Sequence, residues 1–243
     1  MKYLVLVIIL IVSFNACISA QLNKIDHSNF DKLLKDNVNE KGMVDYKGFQ
    51  NDKLFEEYLN QIATTDLSKT EKNEKLAFYI NAYNALTIKN VLNNLPIDSP
   101  MDIDGFFKEK KFNIAGMKLT LDELEHKYVL TIDNVLPHFG LVCAAVSCPK
   151  LIRKAYTGET VYNQLEENGK VFLNDGFKNR LDREAKILYL SSIFKWFRKS
   201  FEEKFGSLKE TAVHFMDNKD RNFLNEYEVE IKFLKYNWKL NSQ

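Results

Sequence analysis

The chain has 243 residues, of which 45% are hydrophobic, and its 34 Lys and Arg residues nearly balance 33 Asp and Glu residues, for a formal net charge of +1 at pH 7. This balance argues against a nucleic-acid-binding protein, which needs a concentrated basic surface, so we expect no nucleic-acid partner. Only nine glycines and four prolines occur, and no Pro/Gly/Ser-rich linker divides the chain. The composition therefore predicts one ordered globular domain.

Residues 1–20 have the pattern of a secretory signal peptide. A single lysine precedes a short uncharged run rich in Leu, Val and Ile, and the segment ends in a small residue, Ala20. The apolar run is too short to cross a bilayer, which takes about 20 apolar residues. We therefore expect an exported protein, periplasmic or secreted, with a globular domain over residues 21–243 and no transmembrane span in the mature form.

Cys17 offers an alternative to the cleaved signal peptide. A lipoprotein signal would place a lipid chain on Cys17 and anchor the protein to a membrane. Phe14 stands where such signals carry a small aliphatic residue, so the sequence fits this alternative less well than simple cleavage.

Helical periodicity accounts for most of the chain. At 27–37 the apolar residues recur at helical spacing, with Ser28 as the expected N-cap. The segment 70–94 is apolar nearly all round in its middle, which is typical of a helix buried on most sides. Thr120 and Glu123 form a capping box that opens another helix. The predicted helices are 27–37, 51–63, 70–94, one beginning after Thr120, 157–174 and 192–205.

Strand patterns are fewer and shorter. Segment 106–119 reads as a hairpin with its turn near Gly116, and 137–146 is an apolar run of strand length. Segments 183–190 and 228–240 are also predicted strands. The fold class is therefore α+β, with a helical majority packed on a small mixed or antiparallel sheet in a single domain.

Cys148, in Ser147-Cys148-Pro149, is the best candidate for chemistry. Pro suits the first position of a helix, which would place Cys148 at the N-cap. The partial positive charge and free N–H groups there favour the thiolate and can hold an oxyanion. We therefore predict Cys148 as a catalytic nucleophile, with Ser147 beside it among the substrate-binding residues.

A cysteine nucleophile needs a base, and a third group can orient that base. His126 and His138 are the two candidate bases, and His126 ranks first because its separate helix can fold back toward the cysteine. Glu125 or Glu123 is the candidate orienting group. The predicted catalytic set is therefore Cys148 as nucleophile, with His126 or His138 as base and Glu125 or Glu123 as orienting group.

Three alternatives for these residues stay open. Cys143 and Cys148 can form a disulfide in an exported protein, provided that a turn brings them together. Cys148 can also be a buried free cysteine. The two cysteines with His126 and His138 offer zinc-ligand types, but zinc sites usually show tighter paired spacings. We expect no metal, and no cofactor either, since no Gly-rich phosphate loop is present.

Buried polar and aromatic side chains complete the candidates. Asn81 and Asn84 fall in the buried helix, where an amide must be hydrogen-bonded. They are predicted either to tie neighbouring loops together or to bind substrate beside the cysteine segment. Phe194, Trp196 and Phe197 are predicted to lie in the core.

Several segments together resemble the domain-of-unknown-function family 547. They are Phe78 to Ile88, Leu121 to His126, His138 to Pro149, Leu190 to Phe197 and Phe233 to Asn241. The resemblance covers nearly all of 21–243 in the same order and implies an exported bacterial member of the family. The family pattern places an Arg shortly before the histidine that matches His138, and this chain has none there.

The resemblance also bears on activity. The motifs of the family carry Glu, His and Cys in the manner of papain- or transglutaminase-like thiol enzymes. The resemblance therefore implies a papain- or transglutaminase-like fold as one version of the predicted α+β class. Those enzymes usually have the cysteine first, whereas here both histidines precede Cys148, so a permuted order is implied.

Two functions follow from the sequence. One is a thiol-dependent hydrolase or acyltransferase acting on an amide or thioester of a small molecule or peptide. The other is a non-catalytic envelope binding or interaction module with a structural cysteine pair, which a Cys143–Cys148 disulfide would favour.

Overall fold

The computed structural model, which describes residues 23–243, consists of helices and two small sheets. A helical majority with a two-stranded and a three-stranded sheet confirms the α+β class. The predicted signal peptide and Cys17 lie outside the described residues. Within 23–243, no helix is both long enough and apolar enough to cross a membrane.

The α-helices differ widely in length, from single turns to the 23 residues of α3. Between α4 and α5 the chain forms a π-helical turn, Glu125–Val129, so these three pieces make one irregular helix. The helices are α1 Ser28–Asn37, α2 Lys53–Thr64, α3 Lys72–Asn94, α4 Leu121–Leu124, α5 Leu130–Ile132, α6 Val161–Leu173, α7 Ser192–Trp196, α8 Arg198–Phe205, α9 Leu208–Phe215 and α10 Asn218–Glu226.

Helix α3 is the centre of the fold. Every residue from Leu76 to Ile88 is buried, which confirms the prediction of a helix covered on most sides. It packs against α2, α4 and α6 and against the π-helical turn. Because α3 is covered by these elements, its polar side chains must find their partners within the protein.

The strands are short. β1 (Phe112–Ile114) and β2 (Met117–Leu119) form an antiparallel hairpin whose turn residues Ala115 and Gly116 have φ angles of 48° and 77°, as the predicted turn near Gly116 requires. The second sheet has the order β3-β4-β5, with β4 parallel to β5 and antiparallel to β3. Its strands are β3 Arg180–Asp182, β4 Ile187–Leu190 and β5 Glu230–Phe233.

The predicted strand at 137–146 is wrong. Leu136–Phe139 is a 3-10 turn, and 140–149 is an irregular loop in which Ala144 has a φ of 61°. Proline in the turn and this left-handed residue both interrupt an extended chain. The segment is apolar because most of its residues are buried among helices, and burial alone does not distinguish a strand from a buried loop.

Four further predictions need correction. No helix begins at Pro149, so Cys148 is not at a helix N-cap. Ser28 is the first residue of α1, and His27 holds the N-cap position. The strand at 183–190 starts only at Ile187, because the residues before it form the β3–β4 turn. The helix at 192–205 is divided at Phe197 into α7 and α8.

Candidate functional site

A cavity of about 200 Å³ opens beside the π-helical turn. Its walls come from that turn, the loop 136–143, α7 and the C-terminal segment 236–238. We call it the aromatic pocket. Its walls are mainly aromatic and apolar side chains with a few polar groups. They are Tyr83, Phe107, Lys108, Asp122, Glu125, His138, Leu141, Cys143, Ile193, Trp196, Phe197, Tyr236 and Trp238.

Three aromatic rings form one side of the pocket. The ring centroids of Trp196 and Tyr236 are 4.8 Å apart, and Tyr236 and Trp238 are 4.6 Å apart. Trp196 is 50% exposed, so its predicted place in the core is wrong, whereas Phe194 is buried as predicted. The rings are tilted to one another by 48° and 55° and together form an apolar surface for a ligand.

Glu125 lies in the π-helical turn, a distortion that often marks functional sites. Burial raises the pKa of its carboxyl, His126 opposes this, the nearby Asp122 adds to it, and a hydrogen bond from Tyr83 lowers it again. Burial also raises the pKa of Tyr83 well above its ordinary value, so its hydroxyl stays protonated. Glu125 and Tyr83 thus supply a hydrogen-bonded polar pair in the pocket wall.

His138 is only 4% exposed and stacks on Phe197, with ring centroids 3.7 Å apart. Burial, helped by the neighbouring His126, lowers the pKa of His138 to about 3, although the backbone of Asn134 opposes this through a hydrogen bond. Its Nε2 has no hydrogen-bond partner among the described residues. With the proton of the neutral ring assigned to Nδ1, toward the backbone of Asn134, Nε2 is an acceptor.

Cys143 and Cys148 form a disulfide, with their Cα atoms 6.3 Å apart. This separation lies in the range that a disulfide needs, and the irregular loop makes it available where a strand would not. Cys143 is half-buried and lines the aromatic pocket. Cys148 is 2% exposed and lies behind it, so the pocket-facing sulfur belongs to Cys143.

Other predicted site residues lie away from the pocket wall. His126 is exposed, and its Nδ1 is 3.0 Å from the Asp122 carbonyl oxygen. Glu123 closes the predicted capping box with Thr120 and bonds Lys127 at 2.9 Å. Of the predicted bases and orienting groups, the structure therefore brings His138 and Glu125 together with a cysteine.

Ser147 is also separate from the pocket wall. Its Oγ accepts a hydrogen bond of 2.9 Å from the backbone N–H of Asn237. This bond holds the disulfide segment against the C-terminal segment, which gives Ser147 a local structural partner.

Asn81 and Asn84 tie loops to α3, as one of the two predictions stated. The Asn81 side chain exchanges hydrogen bonds of 2.8 and 2.9 Å with the backbone of Tyr156. The Asn84 side chain donates to the Gly140 carbonyl and accepts from the Val142 N–H, both at 2.9 Å. Asn84 therefore fixes the loop that carries Cys143 and positions the pocket wall.

Sequence reasoning missed three pocket residues, Tyr83, Tyr236 and Trp238. Tyr83 lies between Asn81 and Asn84 of α3, and a buried tyrosine hydroxyl needs a partner, which is a signal for a nearby polar site. Tyr236 and Trp238 follow β5, and their alternate spacing predicts an extended strand instead of a pocket wall.

A metal site has no visible ligand set in residues 23–243. Nowhere in this part of the chain do three or more His, Cys, Asp or Glu side chains converge as a metal site requires.

Comparison with known proteins gives one result. No curated protein and no solved structure gives a significant match to this chain. The model of one protein family matches residues 67–173, a segment that holds α3, Glu125, His138 and both bonded cysteines. Residues 67–173 thus resemble the family described as protein of unknown function, DUF547.

Proposed function

We propose that the chain is a binding module whose aromatic pocket takes a small uncharged molecule with an aromatic or acyl body and an N–H or O–H donor. The observation that carries this proposal is His138, a residue of the pocket wall whose buried Nε2 has no partner among the described residues. A buried polar atom without a partner costs free energy, and a ligand donor would remove that cost.

The size of the pocket supports a small ligand. An apolar cavity of about 150 Å³ holds benzene, so the 200 Å³ of the aromatic pocket suits a ring with a small polar substituent. Preformed pockets with apolar walls and a few convergent polar groups are typical ligand sites. The rings of Trp196, Tyr236 and Trp238 supply the apolar wall.

The electrostatics of the pocket favour an uncharged ligand. Burial shifts His138 and Glu125 toward their neutral forms, as the lowered pKa of the first and the raised pKa of the second record. Because burial in this wall raises the free energy of charged side chains, it also raises the free energy of an unpaired charge on a bound ligand.

The two tryptophans of the chain, Trp196 and Trp238, both line the pocket, so their emission reports its occupancy. We expect titration with benzamide, which carries an N–H donor, to change this emission and to saturate. Methyl benzoate has a similar shape without the donor, and we expect it to bind about tenfold more weakly.

His138→Phe keeps the stack on Phe197 and removes the acceptor, so the preference for benzamide over methyl benzoate should vanish. His214→Phe is the matched control, because His214 bonds Glu166 at 3.1 Å outside the pocket. Unchanged emission with both compounds, or an equal preference in wild type and His138→Phe, would contradict the proposal.

A thiol-dependent hydrolase or acyltransferase is the second candidate, and Cys143 supports it. This cysteine lines the same pocket as Glu125 and His138, so the reduced protein would present a thiol, a carboxyl and an imidazole together. The sequence favoured Cys148 as nucleophile, but the pocket-facing sulfur is that of Cys143.

The test uses reduced protein and p-nitrophenyl acetate. An enzyme gives many turnovers per chain, with activity lost in Cys143→Ser or Cys148→Ser according to which sulfur attacks. A single acetylation per thiol, with no turnover, speaks for the binding module.

We also propose export, on the pattern of residues 1–20. A cysteine pair joined in a disulfide is the form expected of a protein that works in an oxidising compartment. Expression with the native N-terminus should give a chain that begins at Gln21, measured by intact mass. A retained Met1 would contradict export by cleavage, and a lipid mass on Cys17 would indicate the anchored alternative.

A further inference from the structure

The two sulfurs of the disulfide have unequal surroundings. Cys143 is half-buried in the wall of the aromatic pocket, whereas Cys148 is 2% exposed behind it. A reagent that enters the pocket therefore meets the Cys143 sulfur first. Access is one of the factors that decide which sulfur of a disulfide is attacked.

The Cys148 sulfur receives two hydrogen bonds. The backbone N–H of Cys143 donates to it at 3.1 Å, and the Tyr236 hydroxyl donates to it at 3.2 Å while also lying 3.2 Å from the Cys143 sulfur. Burial, with a smaller contribution from Glu125, raises the pKa of Tyr236 far above its ordinary value, so this hydroxyl remains a donor. Hydrogen bonds to a sulfur favour its thiolate form, and a stabilised thiolate is a better leaving group.

A positive charge stands near the same cysteine. Lys178 Nζ donates to the Cys148 carbonyl oxygen at 2.8 Å, and its nearest carboxylate, that of Asp175, is 3.5 Å away. An adjacent ammonium group stabilises a thiolate. Two donors thus bond the Cys148 sulfur, and the Lys178 ammonium group bonds the backbone carbonyl of the same residue.

The segment 143–148 also has ties that do not depend on the disulfide. Its backbone bonds the C-terminal segment through Val146 to Lys239 at 2.9 Å and through Asn241 to Ala144 at 3.0 Å. Asn84 holds the preceding residues through the Gly140 carbonyl and the Val142 N–H. Opening the disulfide therefore leaves the segment and the pocket wall in place.

We propose that Cys143 and Cys148 are a thiol–disulfide exchange site for small dithiols, in which Cys143 is the attacked sulfur and Cys148 the leaving sulfur. This activity goes beyond ligand binding and does not depend on it. The proposed binding of a small molecule does not use the unequal access of the two sulfurs, and the exchange reaction does.

The exchange balances in two steps. A dithiol thiolate attacks Cys143 Sγ, the bond between the cysteines breaks, and its electron pair stays on Cys148 Sγ as a thiolate. The second sulfur of the dithiol, as a thiolate, then attacks the first, which closes the dithiol into a disulfide and leaves the electron pair on Cys143 Sγ. The dithiol is oxidised, the cysteine pair is reduced, and the two protons lost by the dithiol can pass to the two cysteines.

The experiment uses the full chain with cysteines read separately by peptide mass spectrometry, because Cys17 is also present. Cys148→Ser leaves Cys143 as the free thiol, and Cys143→Ser leaves Cys148. Each is treated with 2-hydroxyethyl disulfide under native conditions. We expect the mixed disulfide on Cys143 to form at least about a hundredfold faster than that on Cys148, since access controls thiol reactivity.

Both variants lack the same disulfide, so loss of the disulfide affects them equally. The reference is the same pair of reactions in concentrated urea, where we expect Cys143 and Cys148 to react at about equal rates. A native ratio near one, or a faster reaction at Cys148, would overturn the assignment. Such a result would leave the benzamide experiment unaffected.

Tyr236→Phe tests the leaving sulfur. In oxidised protein we expect this variant to slow reduction by dithiothreitol on the order of tenfold, because the leaving thiolate loses a donor. Tyr227→Phe is the matched control, since Tyr227 packs on Phe223 outside the pocket. An unchanged rate in Tyr236→Phe would overturn the assignment of Cys148 as the leaving sulfur.

Discussion

His138 shows how one residue acquires its properties from its surroundings. A histidine in water is half-protonated near pH 6.5, but this ring lies between Phe197 and Phe201 with 4% of its surface exposed. Burial penalises the charged form and holds the pKa at about 3. The ring is therefore a neutral acceptor in the pocket wall, which is the property that the proposed ligand would use.

The same burial predicts a loss of stability in acid. The pKa of His138 is about 3 in the folded protein and 6.5 in the unfolded chain. Between these pH values His138 is therefore protonated in the unfolded chain and neutral in the folded protein. Stability should therefore fall as the pH drops below 6.5 toward 3, by about 5 kcal/mol for this group. Urea unfolding at several pH values measures the slope.

His138→Phe removes the group and should reduce that slope between pH 6.5 and 4.5, whereas His214→Phe should leave it as in the wild type. The remaining slope includes His27, because burial lowers the pKa of that ring to about 4. An identical slope in His138→Phe would show that the ring is protonated in the folded protein.

At the residue scale the sequence predicts which residues carry chemistry better than it predicts which residues they contact. It identified His138, Glu125 and the cysteine pair as candidates, because histidine, carboxylate and thiol groups carry chemistry. It could not rank His126 below His138, since that order depends on which ring the fold buries. It also could not find Tyr83 and Trp238, whose contacts come from segments far apart in the chain.

At the scale of elements, the loop 140–149 depends on α3. Asn84 projects from that buried helix and satisfies two backbone groups of the loop, the Gly140 carbonyl and the Val142 N–H. Irregular buried backbone has no ladder of its own, so its polar groups need side-chain partners of this kind. The asparagine thus does for the loop what a neighbouring strand does in a sheet.

Asn84→Ala should destabilise the protein by about 2–4 kcal/mol, because it leaves buried backbone groups without partners. Urea unfolding gives the value. Asn94→Ala is the matched control at the end of the same helix, where the side chain bonds only the preceding turn, and it should cost less than about 1 kcal/mol. Equal losses in the two variants would contradict the assigned role of Asn84.

The elements themselves were predicted where periodicity is strong and missed where it is not. The long helix α3 and the capping box at Thr120 follow from spacing alone. The segment 137–146 was assigned to a strand because an apolar run of that length has no helical period. The segment is instead a turn and a loop, because Pro137 interrupts an extended chain and Asn84 of α3 hydrogen-bonds the loop backbone. The hydrophobic pattern of 137–146 contains no information on the Asn84 hydrogen bonds.

At the scale of the whole molecule, the C-terminal segment closes the fold. After β5 the chain crosses the loop that carries the disulfide, bonds it through Lys239 and Asn241, and adds Tyr236 and Trp238 to the pocket. Residues near both ends of the described chain meet where the Tyr46 hydroxyl donates to Asn241 Oδ1 at 2.6 Å. The pocket is therefore assembled only when the full domain has folded.

This arrangement predicts a modest role for the disulfide in global stability. It closes a loop of only six residues, counting both cysteines, so its removal in Cys143→Ala/Cys148→Ala should cost about 2 kcal/mol with the fold retained. Urea unfolding of the double variant against oxidised wild type measures this. A variant that fails to fold would mean that the ties from Asn84, Lys178 and the C-terminal segment do not suffice.

The two tryptophans allow a direct test of whether the aromatic pocket binds a small uncharged molecule. The chain has only Trp196 and Trp238, so a ¹H–¹⁵N spectrum contains two indole N–H signals, both from the pocket wall. Titration with benzamide should shift both signals together to a common saturation point in wild type and weaken in His138→Phe. If both indole signals stay fixed throughout the titration, the pocket is not a binding site for this class of molecule.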